Sequence, residues 1–275
     1  MKPSMLVVYD YEMSPWQGRI KYSVPFLMKE ALKEFFDVYT LDEKNENEVD
    51  CVFNTLPMGQ DDQFFRIGKI TMFWNLCPLE NGLYREAEKS DIVFCAAPSF
   101  TPRYGGKGIT LLHGVNPYYN YIPSEFEYDV VFLGSEIEAS RINFLNELGK
   151  HCKLLRGQTT LGEESSKLLS KGRLVLSIED YKDREMGIEH RFFTFGNVRP
   201  ILMFNTRDFQ MAGFKEGEHY IGYEYVEDCI KKIDYYLKHM EEAEQIGRNL
   251  QKLFTEKHTY HDKAKAVYEA YLSKV

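Results

Sequence analysis

The stretch GSEIEASR, residues 134–141, sets a glycine and a serine at the end of an apolar run and an arginine about one helical turn beyond. Gly134 lets the backbone approach a ligand closely, Ser135 adds a hydroxyl, and a helix opening near Ile137 presents unpaired N–H groups to an anion. Arg141 can add a charge-assisted fork to the same anion, so the chemistry on offer is binding of a diphosphate. The plain alternative is a strand-to-helix turn with a solvated arginine. A second polar group heads EHRFFTFGNVRPIL, residues 189–202, where Glu189, His190 and Arg191 precede a strongly apolar segment. Arg191 can neutralise an anion, and Glu189 and His190 can exchange hydrogen bonds with a polar ligand. Otherwise the three form a solvated first helical turn whose glutamate suits the helix dipole.

Taking a proton from a hydroxyl needs a carboxylate or an imidazole. The loop YDYEMSPWQGRIKY, residues 9–22, supplies Asp10 and Glu12 with Gly18 beside them, and LLHGVNP supplies His113. Asn75, in WNLCP, also follows an apolar run and is placed to touch an acceptor. Turn and cap chemistry is the alternative for the two carboxylates, and packing is the alternative for Asn75 and His113. YGGKG, residues 104–108, lacks the K-[ST] and helix of a phosphate loop and reads as a turn. No D-x-D triplet occurs, so no paired aspartates stand ready for a divalent ion. Cys51, Cys77, Cys95, Cys152 and Cys229 lie far apart with no C-x-x-C, which marks reduced core thiols. No metal site is expected.

Periodicity gives the elements that would position these residues. Continuous apolar runs at 5–10, 37–41, 50–56, 70–75, 91–97 and 109–113 suit strands covered on both faces, with helices over 23–36 and 80–90 between them. After a turn-rich stretch at 114–127 the pattern restarts with strands at 128–134, 152–157 and 173–178, and helices at 137–149 and 162–170. Residues 189–202 read as a helix feeding a strand, residues 219–223 as a strand, and three helical stretches run from about Glu224 to the end. Such alternation predicts an α/β protein of two Rossmann-like, doubly wound domains, in which ligands bind beyond the carboxyl ends of the strands.

Composition narrows the function classes. The chain has 275 residues, and its 34 basic against 42 acidic side chains give a net charge of −8, spread evenly along the sequence. That charge offers no global attraction to nucleic acid or anionic membrane. No stretch approaches the ~20 apolar residues that span a bilayer, and the apolar run near Met1 is too short for a signal peptide. A soluble, cytoplasmic protein is expected.

SDIVFCAAPSFTPRYGGKGITLLHGVNP, YDVVFLGS, the R-x-F of Arg191 and Phe193, and the tail from Glu227 to Leu272 together resemble glycosyltransferases of the GT-B fold. The similarity covers roughly residues 68–275 and is greatest to the spore-maturation CgeB-like branch of the glycosyltransferase 1/4 superfamily. It implies two Rossmann-like domains facing a cleft. Residues 1–118 would take the acceptor, and residues 119–258 would bind a nucleotide-sugar, UDP-linked, as co-substrate with no further cofactor. Residues 259–275 would return to the first domain. The acceptor can be a surface or spore glycan, a protein, a small molecule or a hydroxymethylated DNA base. In the family pattern a glutamate comes after R-x-F and binds the donor ribose; here that position holds Thr194, which can offer the donor one hydroxyl hydrogen bond. The resemblance then implies that Glu189 or His190 takes over sugar or phosphate contacts and that Arg191 neutralises the diphosphate as it leaves. A binding protein without turnover and a sugar-nucleotide epimerase on the same scaffold are the rival readings.

Overall fold

The computed structural model describes residues 2–8, 23–40, 49–55, 68–76, 85–158, 162–178 and 187–275. They form two compact units. The first comprises Met1–Gly114, Met186–Ile188 and His258–Val275; the second comprises Val115–Glu185 and Glu189–Lys257.

In the first unit the apolar runs become β1 (Ser4–Val8), β2 (Asp37–Tyr39), β3 (Val49–Asn54), β4 (Gly68–Asn75), β5 (Ile92–Cys95) and β6 (Gly108–Thr110), with α1 (Val24–Leu32) and α2 (Arg85–Lys89) between them. The sheet is parallel throughout, in the order β2-β1-β3-β4-β5-β6. Alternation along each strand explains why the runs are apolar at every position. Met5 and Val7 pack in one cluster with Leu27, Met28 and Leu32 of α1, while Leu6 and Val8 pack on the opposite face with Val49 and Val52. Ser23 caps α1 by accepting from the Phe26 N–H at 3.3 Å. Lys107 closes the end of α2, its Nζ donating to the carbonyls of Ala87, Glu88 and Ser90 at 2.6, 3.0 and 3.2 Å.

The second unit holds β7 (Tyr128–Leu133), α3 (Ala139–Leu148), β8 (Leu154–Gly157), α4 (Glu163–Ser170), β9 (Gly172–Leu176), α5 (His190–Phe195), β10 (Ile201–Phe204), α6 (Arg207–Met211), β11 (Ile221–Tyr223), α7 (Val226–Lys238) and α8 (Met240–Lys257). Its sheet is also parallel, in the order β11-β10-β9-β7-β8. The final helix, α9 (Tyr260–Leu272), belongs to the first unit, where Ala264, Val267 and Tyr271 join the cluster under α1. A capping box starts it: the Thr259 hydroxyl accepts from the Asp262 N–H at 3.1 Å, and the Asp262 carboxylate accepts from the Thr259 N–H at 2.9 Å.

Both sheets share one winding. The first strand of each lies between the second and the third, so the chain reverses direction across the sheet between β1 and β3, and again between β7 and β9. In doubly wound sheets the crevice at that reversal, outside the carboxyl ends of the strands, is where ligands bind. In the first unit those loops, with Asp10, Glu12 and Gly18, lie outside the described residues. In the second unit the loop after β7 and the start of α5 are described.

Candidate functional site

The loop after β7 is held from both sides. The Gly134 N–H donates to the Gly157 carbonyl at 2.9 Å, which ties the loop to the end of β8. A Cβ at Gly134 would stand 2.8 Å from Cζ of Phe132, a fully buried ring, so any side chain here would have to displace that ring. Glu136 forms a two-point ion pair with Arg156 at the end of β8, one arm being Nε to Oε1 at 3.2 Å and the other Nη2 to Oε2. Arg156 also donates to the Asn146 side chain at 2.7 Å. Residue pattern alone opens the helix near Ile137. Instead Glu138 keeps an extended backbone, the helix begins at Ala139, and Ile137 is 81% exposed. With Glu136 clamped to β8, the intervening residues stay stretched.

Arg141 lies in the first turn of α3 and is only 7% exposed. Its Nη1 donates to the Ser135 carbonyl at 3.0 Å and to the Ser135 hydroxyl at 3.3 Å. Its Nε is buried and has no hydrogen-bond partner among the described residues. No side chain caps α3 and no acidic residue occupies its first turn, so its N–H groups remain available to an anion.

The polar head of α5 is positioned by the aromatic residues behind it. Six residues are too few for a helix to stand on propensity alone. Phe192, Phe193 and Phe195 are at most 1% exposed and bolt it to the core. Phe192 meets Phe209, Phe214 and Phe254 edge-on, with centroids 4.9, 4.8 and 5.3 Å away. Such pairs contribute about 0.5–1.5 kcal/mol each beyond area burial. So fixed, the first turn sits on the carboxyl side of β9 and carries Glu189, His190 and Arg191. Glu189 pairs with Arg191 Nε at 3.3 Å, while Arg191 Nη1 is buried without a partner among the described residues. His190 keeps an exposed face, which lets water offset part of the desolvation that, with the Arg191 charge, holds its imidazole below the ordinary histidine range.

Thr194 is 2% exposed, and its hydroxyl donates to the His190 carbonyl one turn back at 3.0 Å. The hydroxyl proton is thus committed within the helix, which leaves the oxygen's accepting capacity. Asn75 is 1% exposed at the end of β4 and donates to the Tyr104 hydroxyl at 2.6 Å, bracing the first unit internally. His113 is 3% exposed and lies against Trp74, ring centroids 6.0 Å apart. Two further residues join the site's surroundings. Arg156 is the penultimate residue of β8, and Ser177 directly succeeds β9, fully buried with its hydroxyl unpartnered among the described residues. Each is a polar residue closing an apolar run at the carboxyl end of a strand, a signal legible in the sequence.

Among the described residues no three His, Cys, Asp or Glu side chains gather as metal ligands would. Nor does any described helix have the length and apolarity to cross a membrane. What the second unit does offer is positive charge in two helical first turns, on α3 and α5, which come after the neighbouring strands β7 and β9.

Comparison with known proteins agrees with this layout. A family model described as glycosyl transferase-like matches residues 126–269, slightly more than half of the chain. No curated protein matches. Among solved structures, Anabaena HepE in complex with UDP is similar at a TM-score of 0.65 and 10% identity, covering 100% of both chains. T4 phage BGT in complex with its UDP-glucose substrate is similar at 0.60 and 13%, covering 98% of this chain and 99% of that one. TarM, known from S. aureus, is similar at 0.65 and 12% over 89% of this chain, which spans 58% of TarM's length. At such identities the likeness concerns the fold, two parallel doubly wound domains as in GT-B enzymes. Fold and family match together place the chain in the glycosyl transferase-like family.

Proposed function

We propose that the protein transfers a sugar from a nucleotide-sugar, UDP-linked in the first instance, to an acceptor hydroxyl, without a metal ion or cofactor. One observation carries this reading: the buried nitrogens Arg141 Nε and Arg191 Nη1, without a partner among the described residues, belong to the helices that come after β7 and β9, the strands at the reversal of the second sheet. A diphosphate is the ligand that such arginines, with the uncapped start of α3, would satisfy.

In this reaction the acceptor oxygen bonds to the anomeric carbon as the bond from that carbon to the diphosphate breaks. The electron pair stays on the diphosphate. Arg141, Arg191 and the α3 N–H groups are matched to that growing charge, so they stabilise the transition state more than the bound donor. Glu189 pairs with Arg191 Nε and, with His190, is available to donor hydroxyls. Asp10, Glu12 and His113 are the candidates to take the acceptor proton, with Gly18 and Asn75 on the acceptor side. Residues 119–258 then serve the donor and residues 1–118 the acceptor. The reaction belongs in the cytoplasm, where cysteines such as Cys51 and Cys95 stay as free thiols.

Release of UDP from UDP-glucose and other UDP-sugars, monitored with and without added acceptors, tests the proposal. Thr194 at the family's glutamate position favours one rival, a scaffold that binds donor without turnover. Calorimetric binding with no UDP release would establish that rival. A new sugar nucleotide formed without acceptor would establish an epimerase.

A further inference from the structure

The opposite end of the second unit carries a feature that donor binding does not use. Residues 115–127 run along the surface as a strap, and its backbone is pinned. The Asn120 N–H donates to the Ser166 hydroxyl at 3.1 Å and the Ile122 N–H to the Ser170 hydroxyl at 2.9 Å, while Asn197 Nδ2 holds the Tyr119 carbonyl at 2.7 Å. On this fixed strap Tyr121 and Phe126 are each 41% exposed. Arg199, 4% exposed, lies against both rings, its Cζ 5.4 Å from the Tyr121 centroid and 4.7 Å from that of Phe126. Arg199 is itself locked, donating to the Arg173 carbonyl at 2.9 Å and to Glu244 at 2.5 Å. The aromatic faces are therefore preorganised, and their ordering entropy is lost on folding rather than on binding.

Beside them is a groove of about 440 Å³ lined by Phe126, Arg173, Met240, Glu241, Glu244 and Arg248. Glu241, Glu244 and Arg248 recur at helical spacing on one face of α8. Arg173 stands with its Cζ 5.4 Å from the Phe126 centroid, and neither Arg173 nor Glu241 forms an ion pair with a described residue. The volume lies within the range of small-molecule sites. The lining carries two arginines and two glutamates, so it selects neither anions nor cations. It combines a rigid aromatic face with planar forks and carboxylates able to donate to and accept from adjacent hydroxyls. That pairing suits a pyranose ring, whose axial C–H face lies on an aromatic ring while its equatorial hydroxyls reach the rim. A nucleoside diphosphate would meet both glutamates, and an acyl chain would strand four charged groups.

We infer that this groove binds a neutral oligosaccharide. It opens beside the amino-terminal ends of the strands, at Tyr128 of β7 and Arg173 of β9, away from the loops at their carboxyl ends. It is thus an accessory site that holds a length of glycan, and it stands apart from the donor site.

The test uses the full chain and needs no turnover. Maltohexaose, cellohexaose and chitohexaose are titrated into wild type, Phe126→Ala and Glu241→Ala, with UDP titrated in parallel and the molar mass in solution measured for each. At least one hexasaccharide binds wild type in the millimolar range or tighter, and each substitution weakens it by about tenfold or more, as loss of an aromatic or polar anchor does. UDP binding is the same in all three proteins, which also shows that the variants fold. No binding of any of the three sugars by wild type, or binding that Phe126→Ala leaves unchanged, overturns the inference. A wild-type dimer that Phe126→Ala disperses overturns it as well, by assigning the face to a second copy of the chain.

Discussion

Arg141 Nη1 donates to the Ser135 carbonyl across six residues, at 3.0 Å. The bond makes one guanidinium a brace for the loop after β7, while its buried Nε has no partner among the described residues and, under the proposed function, is the donor left for the diphosphate. Two losses therefore coincide in Arg141→Ala. UDP affinity falls by more than tenfold, since a hydrogen bond to a charged group contributes about 1.5–3 kcal/mol. Arg141→Lys keeps the charge without the fork and recovers only part of the loss. Calorimetry with UDP on both variants decides: normal affinity in a folded Arg141→Ala protein removes Arg141 from the donor site.

Gly134→Ala tests the path of the same loop. The new methyl meets Phe132 Cζ at 2.8 Å and Cε1 at 3.3 Å, and that ring has no exposed surface into which to retreat. Overpacking of this kind costs about 1–3 kcal/mol. Thermal unfolding should fall by several degrees and UDP affinity should drop with it, because Ser135 moves with Gly134. An unchanged melting temperature would mean that the ring yields and the glycine is not required.

Much of this architecture is legible in the residues themselves. Runs such as YDVVFLG and DIVFCAA are apolar at successive positions because both faces of each sheet are covered, and their order alone points to two doubly wound units. Short elements escape such reading. Arg207–Met211 is a five-residue helix with no full amphipathic period, held by buried Phe209. Thr194 shows a different limit. Its identity is visible at the family's glutamate position, but the bond to the His190 carbonyl depends on helix register and burial, which a residue type does not reveal. Asn75 likewise ends its strand as the spacing suggests, whereas His113 lies three residues beyond the end of β6, and both side chains are buried. The polar cluster of Glu189, His190 and Arg191 is explained by its neighbours: three buried phenylalanines hold a helix too short to persist by itself, so that its charged first turn is kept in place.

Chelation addresses the charge balance at the diphosphate. With arginines and a helix N-terminus assigned to the departing phosphate oxygens, turnover should survive EDTA largely intact. Activity abolished by EDTA and restored by manganese would falsify the metal-independent mechanism.

Lys263 carries a pH-dependent contribution to stability. It is 7% exposed, its Nζ stands 3.1 Å from His258 Nδ1, and burial pulls its pKa from 10.5 down to about 8. Between those values the unfolded chain binds the proton more tightly than the folded one, so this residue's contribution becomes more favourable as pH rises from 8 to 10.5. Buried tyrosines and cysteines act oppositely in the same range, so the comparison must be with Lys263→Met. The stability of wild type relative to Lys263→Met should increase across this window by up to about 3 kcal/mol. Denaturant melts at both ends of the window measure it, and a pH-independent difference refutes the lowered pKa.

Substitutions at the head of α5 should separate its three polar residues from the threonine behind them. Arg191 Nη1 is buried with no partner among the described residues while its Nε leans on Glu189, so Arg191→Ala should weaken UDP binding by at least about tenfold, the loss of one charge-assisted bond. Glu189→Gln removes the countercharge that competes with phosphate for Arg191. UDP affinity should hold or rise, while affinity for a complete UDP-sugar should fall if Glu189 meets the donor's hydroxyls. Thr194→Val deletes only a hydroxyl already bonded inside the helix, at a site 2% exposed, and UDP affinity should stay within about twofold. Thr194→Glu places a carboxylate where there is no room for water, at a cost of about 2 kcal/mol or more in stability, and should not improve binding. Tighter UDP binding by Thr194→Glu, with Glu189→Gln indistinguishable from wild type for every donor, would instead mark a transferase that has lost its ribose contact. The buried hydroxyl and the half-buried, paired Glu189–Arg191 turn argue for the first outcome, because that carboxylate and guanidinium keep some exposure to a ligand while the Thr194 hydroxyl keeps almost none.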